Sequence, residues 1–260
     1  MRLMLGIPTA GAPSAPFVES LRGLVLPPEV TAFERAVVTG NFIPAQRDLL
    51  IERALAWEAD QLVMCDDDMV VPADALVRLS ELLGANPNIA VAGALYYSRD
   101  GLRPMVVDGW DPHDTARGWI PAFERAPVAV DGVGSGCMAI RLQAVEGFDR
   151  PFFPAHVFVE PAQGRVRVCD EDYLFCARVR SAGFAVFLHA GVRCGHYDRS
   201  RDRIAPQDWE PVELTNRRRV LTRTGERYEL LPLSGAPPAR PGTERQRRAD
   251  VVYVESIDPG

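Results

Sequence analysis

Apolar residues along this chain fall in short blocks separated by polar, glycine- or proline-bearing segments, and the spacing within each block separates strands from helices. Leu3-Met-Leu-Gly-Ile7 is a continuous apolar run ended by Pro8, as a buried strand would be. Phe33 to Val38, closed by Gly40-Asn41, reads as a second strand, Leu62 to Cys65 as a third and Ile89 to Leu95 as a fourth. Helices are expected between them. One covers Pro16 to Leu24. Another opens at Pro44, where proline suits a first turn, and runs to about Ala59 with Ala45, Leu49, Leu50, Ala54 and Trp57 at helical spacing. A third starts at Pro72, carries Leu76, Leu79 and Leu83, and is stopped by Gly84.

From Tyr96 to Val130 the rhythm is lost, and loops with short strands are expected. It resumes with a strand from Val133 to Ile140 interrupted by Gly134-Ser-Gly136, a helix from Asp170 to Ala182 ended by Gly183, and a strand from Ala185 to Leu188. Strands alternating with helices predict an α/β fold with a mostly parallel, doubly wound sheet. Beyond His196 the pattern changes. Arg217 to Leu231 reads as a hairpin around Thr224-Gly225, Pro232 to Gly242 as a linker, and Val251 to Val254 as a last strand. This divides the chain into a main domain, 1–204, and a small β-rich C-terminal extension, 205–260.

Composition narrows the possibilities. The chain has 260 residues, 47% of them hydrophobic and 25% charged, which is globular and excludes disordered, collagenous and disulfide-scaffold classes. A net charge of −6 argues against a general nucleic-acid binder. All 29 basic residues are arginine, a bias we assign to genome composition, and chemistry that needs a lysine is excluded. No run of about 18 apolar residues occurs, so no membrane span is expected. Met1 to Pro8 is too short for a signal segment. The five cysteines are scattered without a C-x-x-C pair, which suits a reducing, cytoplasmic compartment.

Three clusters carry candidate chemistry. Cys65-Asp66-Asp67-Asp68-Met69 follows directly on a buried strand, and ligands of open α/β sheets bind beyond the carboxyl ends of strands. Extended geometry would point Asp66 and Asp68 to one side and Asp67 to the other. Two carboxylates so spaced can share a hard divalent cation, or one can hold the cation and the other a ribose. A solvated turn or a helix cap is the plainer alternative; the position between strand and helix favours the site. Asp170-Glu171-Asp172 opens a helix, where acids serve as caps, but a carboxylate among acids can also act as a general base. Cys194-Gly195-His196 offers an imidazole that can complete a metal site begun by carboxylates. A zinc site on Cys194 and His196 is weaker without further paired cysteines.

Taken together, Ile7-Pro8-Thr9, Ala45-Gln-Arg47-Asp, the Asp66-Asp67-Asp68 triplet, the segment Asp170-Glu171-Asp172 through Arg178 to Gly183-Phe184, and Gly195-His196 resemble a GT-A glycosyltransferase of the family 2 type. The resemblance spans roughly 1–198. It implies a Rossmann-like GT-A fold and transfer of a sugar from a nucleotide-sugar donor to a hydroxyl acceptor, with inversion and with Mn²⁺ or Mg²⁺ as cofactor. It also implies roles. Pro8, Thr9 and Ala10 would lie against the nucleotide, and Arg47 near the nucleotide-sugar or its phosphates. Asp66 would touch ribose or metal, Asp67 would join the nucleotide-sugar site, and Asp68 and His196 would bind the metal. Gly134 to Cys137, Gly136 included, would line the donor sugar and the acceptor mouth. Asp172 would be the base, and Glu171 would bind acceptor or sugar hydroxyls. Family members often carry an acid after the second strand; Thr39-Gly40-Asn41 stands there, leaving UDP- and GDP-sugars both open. The rival expectations are a metal-dependent phosphoester hydrolase or nucleotidyltransferase, and a non-catalytic module that binds nucleotide-sugar or glycan.

Overall fold

The computed structural model describes residues 1–101, 103–108, 127–154, 156–160, 165–169, 171–206, 217–221 and 228–232. In chain order the strands are β1 (Arg2–Thr9), β2 (Ala32–Thr39), β3 (Gln61–Cys65), β4 (Met69–Val70), β5 (Ile89–Leu95), β6 (Val106–Val107), β7 (Pro127–Val130), β8 (Gly132–Val133), β9 (Cys137–Arg141), β10 (His156–Glu160), β11 (Arg165–Cys169), β12 (Ala185–Arg193), β13 (Gly195–Asp198), β14 (Arg203–Ala205), β15 (Arg217–Leu221) and β16 (Tyr228–Pro232). The helices are α1 (Ala15–Arg22), α2 (Ile43–Ala56), α3 (Ala75–Ala85) and α4 (Glu171–Ser181).

A seven-stranded sheet in the order β2-β1-β3-β9-β5-β12-β7 organises the chain. β1, β2, β3, β5 and β12 run one way; β9 is antiparallel to both β3 and β5, and β7 is antiparallel to β12. The fold is therefore α/β with a mostly parallel sheet, as the alternating pattern predicts. The continuous apolar runs of β1, β3 and β5 are explained by burial on both faces. On one face, Phe17 of α1 and Leu76, Leu79 and Leu83 of α3 pack against Leu3, Leu5 and Val63. On the other, Leu50, Ile51 and Ala54 of α2 and Phe175 and Val179 of α4 pack against Met4, Leu62 and Met64. Helices on both faces make the sheet doubly wound.

Local chemistry sets the element ends. Ser14 caps α1 by accepting the Phe17 N–H at 3.3 Å. Gly183 takes φ +90° after α4, a left-handed conformation that glycine adopts freely. Gly84 does not stop α3, contrary to expectation. The helix runs through it to Ala85, and Asn86 ends it by turning extended and accepting the Asn88 N–H on its side chain at 2.9 Å. Nor does that helix start at Pro72: a turn closed by Ala75 N–H to Pro72 O precedes it.

The single strand expected from Val133 to Ile140 is two. β8 pairs with β6, while β9 enters the main sheet. Gly134-Ser135-Gly136 is the turn between them rather than an interruption. The strand expected at Ala185 to Leu188 extends to Arg193. The β10–β11 hairpin was unforeseen. Pairing of β15 with β16 matches the expected hairpin. Asp170, nearly all of the Pro232 to Gly242 segment, and Val251 to Val254 lie outside the described residues.

Candidate active site

One edge of the sheet gathers the residues singled out from sequence. Parallel β1, β3 and β5 end there at Thr9, Cys65 and Leu95, and antiparallel β9 begins there at Cys137, paired directly with Cys65. A strand of opposite direction thus delivers Ser135 and Gly136 to the same edge as Asp66, whose N–H bonds the Gly136 carbonyl at 2.9 Å.

The acidic triplet is not extended. Met69 N–H bonds the Asp66 carbonyl at 3.1 Å, so Asp66 to Met69 form a turn and the carboxylates diverge. The expected sharing of one side by Asp66 and Asp68 is thereby replaced by three separate attachments. Asp66 receives both oxygens' contacts from Arg47 Nη2, at 3.0 and 3.1 Å. Asp67 accepts the Thr9 hydroxyl at 2.5 Å and faces Arg199 at 3.3 Å. Asp68 Oδ2 accepts Arg99 Nε at 3.1 Å and Nη2 at 2.6 Å, with His196 Nε2 at 3.4 Å. Arg99 and Arg199 carry no motif that would have singled them out; only the turn and the strand pairings bring them here.

His196 arrives through a small three-stranded sheet. β13 pairs antiparallel with β4, setting His196 opposite Met69, and Tyr197 N–H bonds the Asp68 carbonyl at 2.8 Å. The imidazole Nδ1 lies 2.8 Å from the Tyr97 carbonyl oxygen. A carbonyl only accepts, so Nδ1 carries a proton and Nε2 is the atom turned to Asp68. The sequence expectation that His196 approaches the triplet is met, at Asp68.

Arg47 is the electrostatic hub. It projects from α2, is 4% exposed, and forms ion pairs with both Asp66 and Glu171. Burial works against its charge, but Asp66, Glu171 and Asp172 outweigh that and hold the guanidinium firmly protonated. Its Nε is buried with no hydrogen-bond partner among the described residues. Burial pushes the Asp66 carboxyl up, against the pull of Arg47. Burial also acts to raise Asp68, yet His196 and Arg99 prevail and its carboxyl lies below the usual range.

Asp172 is buried, in the first turn of α4. One oxygen accepts the Ser135 N–H at 3.2 Å and the other its neighbour Tyr173 N–H at 2.9 Å. Tyr96 joins the two halves of the site: its hydroxyl accepts the Gly136 N–H at 3.0 Å, and its ring meets His196 edge-on at 5.8 Å. Burial, then Asp172 and Asp66, push the Tyr96 phenol well up. Thr9, between Pro8 and Ala10, joins the site through its hydroxyl on Asp67, and Gly11 follows with φ +122° and its N–H on the Thr9 hydroxyl at 3.0 Å. Three of the five cysteines converge: the Cys65 and Cys137 sulfurs lie 3.8 Å apart, and the Cys194 thiol hydrogen-bonds with Cys137. Cys194 is therefore engaged with other thiols rather than paired with His196.

A divalent ion would fit beside Asp68 and His196. The ordinary spacing of two adjacent ligands on an octahedral hard cation is about 3 Å, close to the 3.4 Å seen between Nε2 and Oδ2. The Nδ1 proton bound to Tyr97 is the backing that metal-ligating histidines use. Among the described residues no three His, Cys, Asp or Glu side chains form a ready cage. Hard cations with few protein ligands take their remaining positions from phosphate and water.

No family model and no curated protein matches this sequence. Solved structures do. The crystal structure of A197 from STIV aligns with TM-score 0.56 at 18% identity, over 80% of this chain and 95% of that one. The structure of GalNAc-T7 with UDP, GalNAc and Mn²⁺ aligns with TM-score 0.51 at 10% identity, over 75% of this chain. It spans 44% of the GalNAc-T7 chain. Among the described residues no helix is long and apolar enough to cross a membrane. At these identities the likenesses show the fold alone: this chain shares a Rossmann-like α/β architecture with GalNAc-T7.

Proposed function

We propose that this chain is a glycosyltransferase that moves a sugar from a UDP- or GDP-sugar to a hydroxyl acceptor, with inversion and with Mn²⁺ or Mg²⁺. The observation that carries the reading is the meeting of Asp68 and His196, distant in sequence, at the strand edge where Asp66 and Asp172 share Arg47 and Tyr96 as neighbours. GalNAc-T7, solved with UDP, GalNAc and Mn²⁺, agrees with it. Residues 1–204 form the transferase unit in this reading and 205–260 an accessory extension.

Cleavage of a sugar–diphosphate bond develops negative charge on the leaving group, which a cation held by Asp68 and His196, with Asp66 alongside, would offset. The other roles belong to the chain itself. The Thr9–Gly11 turn, fixed by Asp67, presents backbone against the nucleotide. Arg47 holds Asp66 and Glu171 in place, so Glu171 offers its remaining acceptor capacity to sugar or acceptor hydroxyls. Gly134 to Cys137 line the donor sugar. Asp172, oriented by Ser135 and Tyr173 N–H groups, accepts the proton of the attacking hydroxyl.

The test is product analysis with a panel of UDP- and GDP-sugars, Mn²⁺ and hydroxyl acceptors. Release of nucleoside diphosphate with a glycosylated acceptor supports the reading. Cleavage that yields nucleoside monophosphate would instead identify phosphoester or nucleotidyl chemistry. Tight binding with no turnover of any donor would identify a binding module.

A further inference from the structure

We propose that Arg99 is an exchangeable counter-ion: it occupies Asp68 until a divalent cation arrives, then transfers its guanidinium to the diphosphate of the incoming nucleotide. This rests on the reading of the site given above. Arg99 sits on the loop after β5 and makes two hydrogen bonds to Asp68 Oδ2, the same oxygen that faces His196 Nε2. A cation held between Asp68 and His196 needs that oxygen, so cation and guanidinium exclude one another there.

The two partners differ in what they lose by parting. The Asp68 side chain is 5% exposed and Arg99 63% exposed. A buried carboxylate left without a positive partner is costly, whereas a guanidinium already in water gives up little. The exchange therefore proceeds only when another cation takes over at Asp68. The loop that carries Arg99 is built to keep it close. Ser98 N–H bonds Arg103 O at 2.7 Å, Gly101 N–H bonds Ser98 O at 2.7 Å, and Gly101 takes φ +78°. Arg203 reaches across from β14 to the Asp100 carbonyl at 3.3 Å. Displaced from Asp68 on this fixed loop, the guanidinium remains beside the cation, where a diphosphate bound to that cation would lie. Arginine suits the task because its planar fork matches carboxylate and phosphate oxygens alike. The chain has no lysine to share it.

By linkage, cation and nucleotide then bind cooperatively, since each removes an obstacle to the other. Free Mn²⁺ counted by electron paramagnetic resonance, with and without UDP or GDP, reads this directly. Wild type should bind Mn²⁺ weakly alone and much more tightly with nucleotide. Arg99→Ala and Arg99→Gln should bind Mn²⁺ alone roughly tenfold more tightly, bind nucleotide roughly tenfold more weakly at saturating Mn²⁺, and lose most of the coupling. Unchanged or weaker Mn²⁺ binding by both variants without nucleotide would overturn the proposal. So would unchanged coupling. Failure of the functional reading itself is distinguishable: wild type and Asp68→Asn would then bind Mn²⁺ equally, whatever Arg99 does.

Discussion

Single side chains at this edge carry charges that the protein has removed from water, and their energetics follow from who neutralises whom. Arg47 lies between Asp66 and Glu171, and its removal leaves two carboxylates facing each other without compensation. Arg47→Met is expected to lower stability by about 3–5 kcal/mol at neutral pH, the usual cost of breaking a buried pair from one side. A carboxyl raised by burial, as Asp66 is, makes the folded state bind more protons than the unfolded one. Its stabilising contribution is present below the ordinary carboxylate pKa and lost as pH rises. The deficit of Arg47→Met should therefore shrink as pH falls, in urea titrations taken from neutrality into the acid range. A deficit independent of pH would contradict this assignment. For Asp172→Asn, which keeps size and removes the proton acceptor, donor binding should stay within a few-fold while transfer falls roughly 10²–10⁴-fold. Transfer at near wild-type rate would make Glu171 the next candidate and a retaining mechanism that needs no such base the better reading.

Among the elements, glycines that allow close approach mark where packing is unforgiving. A Cβ on Gly134 would stand 2.1 Å from the Tyr96 hydroxyl and 2.9 Å from Met105 Cβ, and Tyr96 is buried and cannot yield. A Cβ on Gly195 would meet Ile204 Cγ2 at 2.4 Å, but Ile204 is exposed and can rotate away, leaving Val70 Cβ at 3.3 Å. Calorimetric melting should show Gly134→Ala destabilised by about 1–3 kcal/mol and Gly195→Ala by clearly less. Equal losses would mean that the close approach to Tyr96 is not what constrains the turn. Continuous apolar runs made β1, β3 and β5 legible because both of their faces are buried, and helical spacing made α2 and α3 legible because each buries one apolar face. The antiparallel direction of β9 was not legible, since a run such as Cys137 to Ile140 is apolar whichever way it points. The meeting of Asp68 with His196 was legible as chemistry. Its partners Arg99 and Tyr96 were not, because arginine and tyrosine in a loop carry no spacing signal, and their roles come from the β13–β4 pairing and the turn at Asp66.

At the scale of the whole molecule, the described site residues run no further than Arg199, in the turn after β13 and ahead of the β15–β16 hairpin. A chain ending at Pro232 should accordingly bind UDP or GDP with Mn²⁺ within a few-fold of the full chain; a truncated protein that melts cooperatively yet binds neither would assign the extension to the site. In the proposed function one carboxylate, Asp68 in the turn after a buried strand, would couple a divalent cation to a nucleoside diphosphate. Isothermal calorimetry of UDP and GDP binding to wild type and Asp68→Asn, each with Mn²⁺ and with EDTA, tests this most directly. Wild type should bind one of the nucleotides tightly with Mn²⁺ and weakly with EDTA, and Asp68→Asn, folded to the same melting behaviour, should lose that difference. Equal affinity of wild type in Mn²⁺ and EDTA would contradict it.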